Sequence, residues 1–251
     1  MLTQFPEHIA HVTRYLWEKP GLVVVMGTMA ALGAGRRAYA GRYPLETDDD
    51  RHAVLLDRML AAAGLAAVAL PERESWGWSL ALPGLPAGVF CGVEPEGMLC
   101  CRLVASEPDA TAAVVQRQKA GHPMTQSHFS LESTDPVQAV IRYFSQAHQT
   151  RVRLAVAGDG RGVLVQPLPG GDLSVVAGSG DAGLLDLLGR PERMQLLEEV
   201  LLFYACRCTE EMILSMLTAL PEADRLQLWQ GSSQLRISCP RCGRTYTIAR
   251  N

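Results

Sequence analysis

The sequence has few of the features that assign a chain to a membrane or to nucleic acid. Its longest apolar stretch, from Gly21 to Gly35, ends at Arg36 and is shorter than the roughly 20 residues that a transmembrane helix needs. No run of lysine or arginine marks a surface for polyanions, and the net charge is −3, which gives no general attraction to nucleic acid. We therefore expect a buried segment from Gly21 to Gly35, no membrane and no nucleic-acid partner.

Signatures of nucleotide binding and of catalysis are also missing. The glycines of the same apolar stretch do not follow the G-x-G-x-x-G order, and no lysine follows them as in a P-loop. No arrangement of serine, histidine and acid, and no pair of carboxylates, indicates hydrolytic chemistry. The sequence thus predicts a protein that is not an enzyme.

The chain does have enough apolar sequence for a core. With 251 residues, 48% of them hydrophobic and 20% charged, and a mean hydropathy of +0.07, it can fold as one or two domains. Apolar residues at three- and four-residue steps predict helices. These cover residues 3–19, 54–70, 136–147 and 191–204. Asp135 is expected to cap the third of them, with Pro136 in its first turn.

Short apolar runs broken by turn sequences predict antiparallel strands between Trp76 and Val104. Trp76 and Trp78 share one side of such a strand, and packing is the favoured interpretation. Apolar and polar residues also alternate from residue 152 to 165 around the glycines at 158–162, which predicts a hairpin. The predicted fold class is therefore α+β, an antiparallel sheet with packed helices.

Three aspartates, Asp48, Asp49 and Asp50, precede the second predicted helix. Acidic residues near a helix N-terminus interact favourably with the helix dipole, which suffices to explain them. A metal site that combines them with His52 is the alternative. It is less well supported, because successive residues on a helix do not face one another.

Four of the seven cysteines lie in the C-terminal part of the chain as two close pairs, Cys206 with Cys208 and Cys239 with Cys242. A zinc ion bound by thiolates is tetrahedral, with sulfurs at about 2.3 Å, and a tight turn can present two of them. Gly243 permits the positive φ that such a turn requires. No histidine lies in this part of the chain. The spacing therefore predicts one Zn²⁺ ion bound by four cysteines.

Disulfides and plain burial of small thiols are alternative explanations for these pairs. Against disulfides, the N-terminal residues include Glu7, Arg14 and Glu18 where a secretory leader would need an apolar core. Against burial, independent cysteines rarely adopt this spacing by chance. The other three cysteines follow a strand-like apolar pattern and are assigned to the core without a further role. They are Cys91, Cys100 and Cys101.

The two cysteine pairs enclose a small predicted domain. Thr209 is expected to cap its first helix, and a second helix and two strands follow. These elements are predicted at residues 210–219, 221–230, 235–237 and 245–248. So short a segment buries little core, and metal binding would supply most of its folding free energy.

The chain then divides into a core domain, a helical linker and a zinc domain, at residues 1–180, 181–205 and 206–251.

The Cys-x-Cys pair, the long spacer and the Cys-x-x-Cys pair together resemble the zinc domain of the heat shock protein 33 chaperone family. Similar sequence also lies at Tyr143 to Gln146 and at Gly162 to Pro169. The resemblance runs from residue 125 onwards, and over residues 1–120 it is limited to the order of helices and strands.

The resemblance implies a cytoplasmic, redox-regulated holdase whose partners are unfolded or partly folded proteins. In that family the reduced, zinc-bound protein is inactive. Oxidation joins neighbouring cysteines as disulfides, with release of zinc, and the tail and linker unfold to expose apolar surface. The resemblance also allows a homodimer on activation. Arg207, Arg241 and Arg244 flank the cysteines and would keep the thiolates deprotonated and open to oxidants.

Two other functions stay open. The segment between Pro169 and Cys206 is shorter than the family's regulatory linker, which leaves room for a constitutive zinc-stabilised binding module. A thiol-disulfide enzyme is less favoured, because Cys239 and Cys242 lie between strand-like segments rather than at the start of a helix.

Overall fold

Alternating apolar side chains build a large sheet in the computed structural model, which describes residues 8–45, 52–70, 73–85, 87–107, 111–229 and 231–250. Its strands are β1 (Ile9–Trp17), β2 (Leu22–Thr28), β3 (Ser75–Leu80), β4 (Ala87–Val93), β5 (Met98–Ala105), β6 (Ala112–Gln118), β7 (Thr125–Ser130), β8 (Arg153–Val156), β9 (Arg161–Pro167) and β10 (Gln195–Tyr204). A separate hairpin near the C-terminus contains β11 (Gln234–Ser238) and β12 (Thr245–Ala249).

Helices pack on both faces of this sheet. They are α1 (Ala30–Arg42), α2 (Ala53–Ala69), α3 (Pro136–Ala147), α4 (Ser174–Ala177), α5 (Gly180–Leu185), α6 (Glu210–Thr218) and α7 (Glu222–Trp229). The first three contribute to the main hydrophobic core, whereas α4 and α5 cover the other face of β2, β8 and β9. The α+β class predicted from the sequence is confirmed.

Strand β10 joins the two halves of the sheet, whose strand order is β7-β6-β3-β4-β5-β10-β1-β2-β9-β8. It runs antiparallel to β1 along most of its length. It runs parallel to β5 through two pairs, Phe203 with Met98 and Tyr204 with Leu99. The chain therefore passes directly from the centre of the sheet to the first cysteine pair.

The main core is centred on α2, in which Met59 and Leu65 are fully buried. The indole rings of Trp76 and Trp78 stack with their centroids 5.6 Å apart. Tyr143 of α3 lies edge-on to Trp78 at 5.0 Å. Offset and edge-on aromatic contacts of this kind add to the stabilisation from burial, and the packing role predicted for both tryptophans is confirmed.

Several local predictions are also confirmed. Helices α2 and α3 and the antiparallel strands β3 to β5 lie where the sequence indicated. The apolar stretch from Gly21 to Gly35 forms the mostly buried β2 and the start of α1. Strands β8 and β9 form the predicted hairpin, and its turn requires glycine: Gly160 has φ +86, and a Cβ there would lie 2.5 Å from the amide nitrogen of Ala30.

The amphipathic helix predicted for residues 3–19 is wrong, because Ile9–Trp17 form a strand. Ala10 and Val12 are buried on one side while His11 is exposed, which is the two-residue period of a strand. The β-branched and aromatic residues of this segment also favour a strand. Pairing with β2 and β10 on either side decides between two periodicities that the sequence carries together.

The helix predicted at residues 191–204 is also wrong. Only Pro191–Arg193 form a short 3-10 turn, and Gln195–Tyr204 form β10. Val200 and Leu202 point into the core, while Leu201 between them is exposed. Leucines on both faces of the strand imitate a helical repeat, because adjacent leucines satisfy three- and four-residue steps as well as alternation. The predicted helical linker at 181–205 therefore ends as a central strand.

The proposed roles of Asp48, Asp49 and Asp50 fall outside the described residues. Of the helices that the structure describes, none is both long and apolar enough to cross a membrane.

Replacing Asp135 with alanine should lower the free energy of unfolding by about 1–2 kcal/mol, measured by chemical denaturation. Its carboxylate accepts a hydrogen bond from Val137 N at 3.1 Å and pairs with the guanidinium of Arg58 at 2.7 and 3.2 Å. Asp135→Asn is the matched control, since its amide oxygen can still cap α3, and it should lose less. Wild-type stability of the alanine variant would contradict the capping role.

Candidate metal centre

Two turns bring the four predicted cysteines together. Cys206 and Cys208 lie between β10 and α6, and Cys239 and Cys242 lie in the turn between β11 and β12. Their sulfurs all lie within 4.8 Å of one another. The Sγ atoms of Cys206 and Cys239 are 3.9 Å apart, and those of Cys208 and Cys242 are 3.5 Å apart. Tetrahedral bonds of 2.3 Å would separate sulfurs by about 3.8 Å. The cluster therefore fits a single four-coordinate ion.

Local sequence explains both turns. In the second, the amide of Cys239 donates to the carbonyl oxygen of Arg244 at 2.8 Å, and the amide of Gly243 donates to the carbonyl of Cys239 at 2.9 Å. Gly243 has φ +79, as its position after the cysteine pair predicted. After the first pair, the hydroxyl of Thr209 accepts a hydrogen bond from Met212 N at 3.1 Å and starts α6.

The four thiols affect one another's protonation. The pKa of Cys208 is lowered to about 7, chiefly by the hydrogen bond from the Cys206 thiol. The pKa of Cys239 is also lowered, by hydrogen bonds from Cys206 and Cys208. The pKa of Cys206 is raised, first by its hydrogen bond to Cys100. The raised pKa of Cys206 favours its thiol, and the lowered pKa values of Cys208 and Cys239 favour their thiolates. A bound cation would displace the thiol protons that remain.

Two tyrosines hold the sulfurs from outside the cluster. The hydroxyl of Tyr246 donates to the sulfur of Cys208 at 3.1 Å and to its carbonyl oxygen at 2.8 Å. The hydroxyl of Tyr39, on α1, lies 3.4 Å from the sulfur of Cys242. Burial raises the pKa of both tyrosines, so their hydroxyls stay protonated. Hydrogen bonds of this kind orient metal ligands.

The arginines inside the two cysteine pairs share one carboxylate of the core domain. Glu94 lies directly after β4, and its side chain is only 4% exposed. It pairs with Arg241 at 2.5 Å and with Arg207, and it accepts a hydrogen bond from Ser75 at 2.9 Å. Arg241 also contacts the thiol of Cys100. One buried carboxylate therefore fixes both cysteine turns to the sheet.

Arg244 makes different contacts. Its guanidinium lies over the rings of Tyr43 and Tyr246, 3.9 and 4.6 Å from their centroids. The sequence correctly placed Arg207, Arg241 and Arg244 near the cluster. It gave no sign that their charges are directed to Glu94 and to aromatic rings, which leaves less positive charge for the sulfurs than expected.

Similarity to known proteins agrees with this geometry. A family model described as "Hsp33 protein" matches residues 101–249. The chain belongs to the Hsp33 family. The crystal structure of the 33 kDa chaperonin (heat shock protein 33 homolog) from Thermotoga maritima matches with a TM-score of 0.71 and 17% identity, covering 96% of this chain and 94% of that chain. At that identity the match shows a shared fold. No curated protein matches the chain.

The structural similarity reaches further along the chain than the family's sequence pattern. That pattern begins at residue 101, yet nearly the whole chain superposes on the Thermotoga protein. The N-terminal part of this Hsp33-family chain therefore keeps the fold although its sequence has diverged.

In this Hsp33-family protein the cysteine unit shares its core with the large sheet. Cys208, Cys242 and Tyr246 belong to the same buried cluster as Leu99 of β5. The guanidinium of Arg102 donates to the carbonyl oxygen of Cys239 at 2.9 Å. The tail therefore draws support from the core domain as well as from any bound metal.

An apolar cavity of about 950 Å³ adjoins the sulfurs. It lies between the start of β5 and the tail elements α6, α7 and β11. Apolar side chains of the tail line it together with Cys100 and Cys206, among them Met212, Met216, Leu217, Leu228 and Ile237. The tail thus carries a substantial apolar surface next to the four-cysteine cluster.

Replacing Glu94 with glutamine should weaken the attachment of the tail, residues 206–250, to the sheet. Both ion pairs between Glu94 and the arginines of the cysteine turns are lost. We expect unfolding free energy to fall by about 2 kcal/mol, and amide hydrogen exchange to speed up across residues 206–250. Glu96→Gln is the matched control. Glu96 is 61% exposed, and its carboxylate lies 3.9 Å from the guanidinium of Arg207, which is too far for a hydrogen bond. Equal exchange in the two variants would contradict a clamping role for Glu94.

Proposed function

We propose that this protein is a redox-regulated holdase chaperone, held inactive by one Zn²⁺ ion on Cys206, Cys208, Cys239 and Cys242. The observation that carries the proposal is the four-thiol cluster seated on the large sheet. Membership of the Hsp33 family supports the chaperone class. We place the protein in the cytoplasm, where thiols are kept reduced.

The chemistry of the cluster supports zinc in a structural role. Four thiolates in tetrahedral arrangement suit zinc, and a site with four protein ligands leaves no open position for substrate. Three of the four cysteines are buried and Cys206 is half-buried. When bound, zinc would hold the two cysteine turns together and so stabilise the tail.

Activation would begin at the sulfurs. Oxidation of neighbouring cysteines to disulfides removes thiolate ligands, and the two turns lose their common anchor. The tail then separates from the sheet and uncovers apolar side chains that its helices and β5 now bury against each other. Ile213, Leu217 and Met98 are among them. Unfolded or partly folded proteins would bind this surface, and the activated protein could form a homodimer through it.

A constitutive zinc-stabilised binding module is the second candidate, and the position of β10 favours it. The strand is paired on both sides and ends just before Cys206. In the described part of the chain only Ala205 separates the end of this strand from Cys206, so no long linker joins the sheet to the first cysteine pair. A switch in this chain must therefore operate within the tail. A thiol-disulfide enzyme is disfavoured, because Cys239 and Cys242 lie in a hairpin turn.

The purified reduced protein should contain one equivalent of zinc, measured by elemental analysis. Combined substitution of Cys206→Ser and Cys208→Ser should abolish binding and unfold α6 and α7, seen as loss of helical circular dichroism. Cys91→Ser is the control, because Cys91 is fully buried in the core domain and is not one of the four clustered cysteines. Unchanged zinc content in the double variant would refute the four-cysteine site.

Hydrogen peroxide under mild heating should release zinc and make the protein suppress aggregation of a denatured client, measured by light scattering. Dithiothreitol and zinc should reverse both effects. Release of zinc without suppression of aggregation would contradict the chaperone proposal. Suppression by the reduced protein with zinc still bound would favour the constitutive module.

A further inference from the structure

Cys100 of β5 lies beside the metal cluster although it belongs to the core domain. In the parallel ladder Leu99 pairs with Tyr204, and the amide of Ala205 donates to the carbonyl oxygen of Leu99 at 2.8 Å. Neighbouring strands lie about 4.8 Å apart. Cys100 therefore lies opposite Ala205, the residue before Cys206, just beyond the last paired residues, and Cys100 and Cys206 line the same cavity.

The direction of the side chain sets Cys100 apart from its neighbours. Successive residues of a strand point to opposite faces of the sheet. Cys101 pairs with Cys91 on β4, so the side chains of these two residues share one face of the sheet. Cys100 points the other way: a Cβ placed on Gly92 would lie 3.2 Å from its sulfur and 2.6 Å from the guanidinium of Arg241. Of the three core-domain cysteines, Cys100 is the one that faces the cluster.

The surroundings of this thiol pair allow an oxidant to reach it. Cys206 is the half-buried member of the four-cysteine cluster. It lines the 950 Å³ cavity together with Cys100. The pair thus combines proximity with access.

We propose that Cys100 is a fifth redox-active cysteine, which forms a disulfide with Cys206 when the protein meets a hydroperoxide. This inference rests on the redox part of the proposed function. One sulfur of the pair attacks the O–O bond of the peroxide, giving a sulfenic acid and releasing an alcohol, or water from hydrogen peroxide. The other sulfur then attacks the sulfenic sulfur, the S–S bond forms, and water leaves with the oxygen and the thiol proton. Two thiols lose two electrons, and one peroxide gains them.

This disulfide would differ in its consequence from one between neighbours in a cysteine pair. It removes one of the four metal ligands and leaves Cys208, Cys239 and Cys242. At the same time it ties the start of the tail to β5. The product has a weakened metal site and a tail that remains tethered to the sheet. Reduction of this single disulfide restores the starting state.

The test is disulfide mapping of the full-length, zinc-loaded protein after treatment with hydrogen peroxide. Free thiols are blocked with N-ethylmaleimide, and peptides are analysed by mass spectrometry without reduction. We expect a cross-link between the peptide that contains Cys100 and Cys101 and the peptide that contains Cys206. The cross-link should be lost in Cys100→Ser and kept in Cys101→Ser, which changes the adjacent thiol on the opposite face. Fragmentation of the wild-type cross-link identifies the bonded residue if either variant folds poorly.

The outcomes separate this inference from the proposed function. A cross-link that persists in Cys100→Ser, or oxidised protein in which Cys206 is joined only to Cys208, would overturn the role of Cys100. If zinc release and aggregation suppression are still seen in that case, the proposed chaperone function stands alone. If the Cys100 to Cys206 cross-link forms without aggregation suppression, the disulfide stands and the chaperone function fails.

Discussion

Strand β10 is the constraint on which the rest of the structure depends. Its ten residues pair with β1 on one side and reach β5 on the other, so they hold the two halves of the sheet together. The same strand leads to Cys206 in the four-cysteine cluster. Because Val200 and Leu202 are buried in the core, the position of the first cysteine pair is fixed by the packing of the whole domain. The cluster and the sheet therefore form one structural unit.

Charge balance connects this unit to the chemistry of the sulfurs. A zinc tetrathiolate would carry two net negative charges, and Arg207 and Arg241 lie in the turns that would hold it. Glu94 offsets one of these two positive charges. Oxidation to disulfides would remove the thiolate charge and leave two guanidinium groups against one carboxylate. The ion pairs of Arg207 and Arg241 with Glu94 contain no thiolate charge, so loss of the metal ligands, and not loss of these ion pairs, is what would release the tail.

Local sequence signals were sufficient for the cysteine cluster and for several elements, and insufficient for the contacts around them. Cysteine spacing predicted that the four thiols lie together, and the Asp135 and Pro136 cap predicted α3, because both depend on local sequence motifs. Strand β10 was missed because its leucines fit two periodicities, and only partner strands select one. Tyr39 and Cys100 were missed because they lie in the first half of the chain, far in sequence from the cysteines that they contact.

The correction of β10 from helix to strand changes what a redox switch in this chain can expose. Unfolding this strand would separate the halves of the sheet, so the switch has to spare it. The face of β10 opposite the core already presents Leu197 and Leu201 to solvent. On that face Phe203 lies beside Met98, and Met98 lines the cavity beneath the tail. Removal of the tail would therefore extend an existing apolar strip across β10 onto β5, and a client surface could form without any loss of the sheet.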